Sequence, residues 1–98
     1  MRVGTVLKAE EFPQARNPAY KLEIDFGQFG IKKSSAQISA HYKKEDLMGK
    51  QVIAVTNFPP KQVANFKSEV LVLGVILADD SVILLQPERS VGNGLRIA

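Results

Sequence analysis

A chain of 98 residues with 13 Lys+Arg against 10 Asp+Glu carries a net charge of +3, which permits a nucleic-acid partner without requiring one. That length sets a single domain over residues 1–98, one that buries only about two-thirds of its unfolded surface, so a homodimer interface would add useful stability. The lack of cysteine excludes disulfides, thiolate nucleophiles and zinc–thiolate or iron–sulfur sites; with no signal-peptide pattern and no apolar run of about 18 residues, the expectation is a soluble, cytoplasmic protein without membrane insertion.

Val3 to Glu10 alternates imperfectly and predicts a first strand, followed by a loop with two prolines over Phe12–Pro18. Tyr20 to Phe26 alternates apolar and charged without a break, so Tyr20, Leu22, Ile24 and Phe26 face inward. Gly27-Gln28-Phe29-Gly30 supplies a hairpin turn into an antiparallel third strand, Ile31 to Ile38. One short helix is expected over Lys43–Met48, capped by Gly49. Val52–Val55 and Val70–Leu73 read as buried strands joined by a loop rich in proline and lysine. Asp79-Asp80-Ser81 turns the chain into Val82–Leu85, and Ser90–Gly94 is a closing turn rather than a phosphate loop. Several short strands with one helix between the third and fourth predict an all-β protein, a five-stranded oligonucleotide-binding (OB) barrel.

Catalytic inventory is thin. His41 stands alone, and the acidic pairs Glu10-Glu11, Glu45-Asp46 and Asp79-Asp80 serve solubility and capping, so neither metal nor cofactor nor enzymatic activity is expected. The candidate contacts for an anionic polymer are Arg16, Lys21, Lys32, Lys33, Lys61, Lys67 and Ser68. In one groove they neutralise phosphates; scattered, they are solvated lysines. Phe29 and Phe58 sit in turn-like segments suited to base stacking, whereas Phe66 packs under its loop, and Glu69 suits a base edge or a neighbouring lysine. Val70–Leu77 and Val82–Leu85 carry more aliphatics than one barrel face can bury, so the surplus is assigned to a dimer interface or an apolar peptide groove.

Four blocks, Phe12-Pro13-Gln14-Ala15-Arg16-Asn17-Pro18-Ala19-Tyr20-Lys21-Leu22, Lys33-Ser34-Ser35-Ala36-Gln37-Ile38, Asn57-Phe58-Pro59-Pro60 and Phe66-Lys67-Ser68-Glu69-Val70-Leu71-Val72-Leu73-Gly74, resemble the CsaA family of secretion-associated proteins. More distantly the chain resembles the carboxy-terminal tRNA-binding domain of methionyl-tRNA synthetase. This resemblance implies an OB barrel, a homodimer, tRNA binding and a chaperone-like affinity for unfolded or exported polypeptides and the secretion machinery. The chain starts directly at Arg2-Val3-Gly4, without the extra residues common in the family, and has Ser68-Glu69-Val70-Leu71 where synthetase domains have Ser-Glu-Gly-Met. Asn65 replaces a family glycine and is expected to adopt the left-handed conformation. The combined expectation is a non-catalytic protein recognising tRNA by shape and phosphate charge, with Arg16, Lys21, Lys32, Lys33, Phe58, Lys61, Lys67, Ser68 and Glu69 at the interface; the alternative is an export-related chaperone.

Overall fold

In β2 (Tyr20–Asp25) the apolar and charged residues alternate, and Leu22, Ile24 and the following Phe26 are fully buried while Lys21 and Glu23 face out. This computed structural model describes residues 1–15, 18–57 and 59–98, so the candidates Arg16 and Phe58 lie outside the described residues. The strand pairs on one side with β1 (Arg2–Glu11) and on the other with β3 (Ile31–Ala36), both antiparallel. A 3₁₀ turn at Gly27–Phe29 joins β2 to β3, with positive φ at Gly27 and Gly30, as the sequence predicts. Helix α1 (Lys44–Leu47) follows β3 and plugs the core with Leu47; the Asp46 carboxylate accepts the Lys43 N–H, and Gly49 turns the chain with φ 84°.

β4 (Gln51–Val55) returns against β1. The segment expected to be an irregular loop contains instead a small hairpin, β5 (Lys61–Val63) and β6 (Phe66–Ser68). Its two-residue turn puts the positive φ on Ala64 (51°), correcting the expectation for Asn65. The long apolar run beyond it divides between two sheets: β7 (Leu71–Val72) pairs with β4, and β8 (Gly74–Ile76) pairs with β9 (Val82–Leu84). Gly74 permits this division, because a Cβ there would press into the Ile83 carbonyl oxygen at 2.9 Å.

The main sheet runs β3-β2-β1-β4-β7, nearly closed into a barrel around Val6, Leu22, Ile24, Phe26, Val52 and Val70. Side chains help span the gap between its edges. Glu69 Oε1 accepts the Lys33 N–H (3.0 Å) and Ser68 Oγ accepts the Ser35 N–H (3.0 Å), while the Ser34 hydroxyl donates to the Val70 carbonyl (3.0 Å). The fold is the expected all-β barrel with its helix between β3 and β4.

Candidate nucleic-acid interface

Period-2 pleating sends every second residue of β1, β2 and β3 outward, and strand pairing aligns them in rows. Lys8, Glu23 and Lys33 form one row, and Glu10, Lys21 and Ser35 the next. Lys8 enters this face through an irregularity between Val6 and Lys8: Leu7 is the extra residue of a β-bulge, so Val6 and Ala9 both point inward. The result is a shallow hollow of about 220 Å³ lined by Lys8, Lys21, Lys33, the two glutamates and Phe66.

Phe12 and the β5–β6 hairpin border this face. Phe12, at the end of β1, meets the Phe66 ring of β6 edge to face, with centroids 5.5 Å apart. The Lys21 ammonium lies over both rings, 5.5 Å from Phe12 and 5.8 Å from Phe66, within cation–π range. Phe66, expected to pack under its loop, is half-buried and also lines the hollow.

Charge on this surface is partly self-compensated. Lys8 Nζ sits 2.7 Å from Glu10, a hydrogen-bonded pair that holds the Glu10 carboxyl below its ordinary value and raises Lys8 above its own. Both side chains remain well exposed.

The expected candidates divide among several places. Lys21 and Lys33 share the outer face with Lys8, which the sequence reading did not select. Lys32 points the other way, opposite buried Ile24, and lines a hollow at one end of the barrel with Arg2, Phe26, Phe29 and Thr56. Lys61 pairs with Ser68 and Lys67 with Gln62, so the two lysines leave opposite faces of the hairpin rather than fronting one groove side by side. Ser68 is buried and its hydroxyl is engaged with Ser35 and Val70, while Glu69 is tied to Lys33; both hold the hairpin against β3. Lys61 instead borders a more apolar hollow of about 450 Å³ lined by Ile38, Val70, Val72, Val82 and Leu84 among others.

His41 Nε2 lies 2.7 Å from Ser81 Oγ at an exposed site, and Asp79 bonds the same serine rather than the imidazole. Hydrogen bonding from Ser81 lowers the Asp79 carboxyl from its ordinary value. The three residues hold a turn together and do not form a nucleophile–base–acid relay. Among the described residues no group of three metal-ligating side chains converges, and no helix is long and apolar enough to cross a membrane.

Comparison with known proteins gives a consistent placement. The family model described as "Putative tRNA binding domain" matches residues 1–96. The crystal structure of the chaperone CsaA from Bacillus anthracis superposes with a TM-score of 0.95 at 59% identity, covering 99% of this chain and 88% of that one. CsaA from Picrophilus torridus gives 0.91 at 53% identity, covering 99% and 89%. Methionine–tRNA ligase of Porphyromonas gingivalis is 35% identical over 97 residues, 99% of this chain but 14% of the ligase. The chain thus spans only a small part of the length of the curated relatives it matches. With its family model aligned almost end to end and its barrel shared with the CsaA proteins, the chain belongs to the tRNA-binding-domain family.

Proposed function

We propose that the protein binds structured RNA, tRNA in particular, by shape and phosphate charge and without catalysis, in the cytoplasm. The observation that carries this reading is the convergence of Lys8, Lys21 and Lys33 from three adjacent strands on one outward face bordered by the Phe12–Phe66 pair. OB barrels use the corresponding strand face and adjoining loops for oligonucleotides. Lysines spaced across a sheet suit the regular phosphates of a folded RNA, and Lys61 and Lys67 extend the positive surface onto the two faces of the hairpin. Ser68 and Glu69 act in this reading by positioning the hairpin, and the similarity to tRNA-binding domains supports the choice of RNA.

Fluorescence anisotropy with labelled tRNA at low and near-physiological salt tests this, with an unfolded polypeptide as competitor. Lys21→Ala and Lys33→Ala are each expected to weaken binding and to reduce the slope of log affinity against log salt by about one unit, the signature of a lost phosphate contact. An unchanged affinity and slope in both variants would sink the assignment.

A second reading, affinity for unfolded polypeptides, draws on the apolar hollow of about 450 Å³ beneath the β5–β6 hairpin. The CsaA neighbours are named chaperones. This hollow and the lysine face are different surfaces, so polypeptide that leaves tRNA binding untouched fits both activities. We assign the aliphatics exposed on β8 and β9 to a homodimer interface, Ile76 being 72% exposed.

A further inference from the structure

The barrel end opposite the Phe12 loop carries a second cationic and aromatic cluster. Arg2, at the start of β1, lays its guanidinium over the Phe29 ring with Cζ 3.9 Å from the centroid, and its Nη1–H donates to the Gly94 carbonyl at 3.0 Å. Stacking on one side and a hydrogen bond at one edge fix the plane of a long side chain that would otherwise sample many rotamers. Lys32 reaches the same hollow of about 320 Å³, together with Phe26 and Thr56. Arg96 stands opposite Arg2 in an antiparallel bridge, so both side chains leave the backbone on the same side. Among the described residues no carboxylate lines the hollow; Asp25, the last residue of β2, accepts the Gly27 N–H. Among the described residues, none of these three cations forms an ion pair.

An immobilised guanidinium plane is a stacking platform for a base, and uncompensated cations beside it suit a phosphate. We propose that the Arg2–Phe29–Lys32 hollow is a separate binding site for a single phosphate-bearing nucleotide, its base stacked on the Arg2 plane and its phosphate neutralised by Lys32 and Arg96. The site is independent of the tRNA face, because Lys8, Lys21 and Lys33 leave the sheet on its outer side whereas Lys32 faces the barrel end.

The test is an amide NMR titration of the full chain with adenosine 5′-monophosphate, adenosine and inorganic phosphate in parallel. Adenosine 5′-monophosphate is expected to shift Phe29, Gly30, Lys32 and Thr56 saturably, and each fragment alone to bind at least about tenfold more weakly, as for a site that reads base and phosphate together. Arg2→Lys, which keeps the charge and removes the plane, and Phe29→Ala, at an exposed ring, should each weaken the nucleotide about tenfold. Lys44→Ala, on the helix, should change nothing. The proposal is overturned if those four amides do not move, if inorganic phosphate binds as well as the nucleotide, or if Arg2→Lys binds normally. Because the reporting amides belong to this end of the barrel, loss of tRNA binding in the Lys21 and Lys33 variants leaves the result unaffected.

Discussion

Ser68, itself buried, accepts a backbone N–H from Ser35 and donates to the Val70 carbonyl. Removing its hydroxyl leaves the Ser35 amide without its partner, a loss of about 1–3 kcal/mol. Ser68→Ala is therefore expected to lower the urea midpoint by that equivalent at an unchanged m-value. Glu10 illustrates a different residue-level effect. Its carboxyl, held low by Lys8, favours the folded state above the unfolded carboxylate value and loses that effect as pH falls through the lowered one. Lys8, held high, contributes below the unfolded ammonium value and stops contributing as pH rises through the raised one. Between those limits the pair masks a cation on the candidate face, so Glu10→Gln should tighten tRNA binding at low salt and steepen its salt dependence, as read by anisotropy. Lys21 and Lys33 were legible from simple alternation, but Lys8 was not: counting by twos from Val6 sends Lys8 inward, and only the bulge at Leu7 reverses it.

At the scale of elements, the β5–β6 hairpin is the feature that local pattern concealed. Its strands are three residues long, and its turn, Ala64-Asn65, lacks the glycine that marks tight hairpins. Prolines 59 and 60 then made the whole segment read as loop. Asn65 is the better left-handed residue, but pairing of Val63 with Phe66 puts the positive φ one position earlier. A left-handed alanine is strained by about 1–2 kcal/mol, whereas glycine costs about 0.5–1 kcal/mol in chain entropy. Ala64→Gly is accordingly expected to stabilise the protein slightly, by up to about 1 kcal/mol in chemical denaturation. The β2 alternation, the glycine turn and α1 were all legible because each depends on neighbours close in sequence. The seam contacts join residues more than thirty apart and could not be read from spacing.

For the whole molecule, the surplus of aliphatic residues anticipated after Val70 is visible as an exposed apolar surface on β8 and β9: Val75 and Ile76 are 49% and 72% exposed. Burying them in a symmetric pair would make stability depend on protein concentration. For the proposed homodimer, Ile76→Asp is expected to give monomer in sedimentation velocity and to abolish the concentration dependence of Tm; a variant that still dimerises places the interface elsewhere, and an unsubstituted protein that sediments as monomer overturns the homodimer proposal. The side-chain stitching of the barrel has a consequence of another kind. β3 is an outer strand of the five-stranded sheet, and such strands offer unpaired amides on which a foreign chain can add itself. Here the amides of Lys33 and Ser35 are occupied by Glu69 and Ser68, and the Lys33 carbonyl by the backbone of residues 69 and 70. The bonds that hold the hairpin in place thereby also guard the protein against templated polymerisation along that edge.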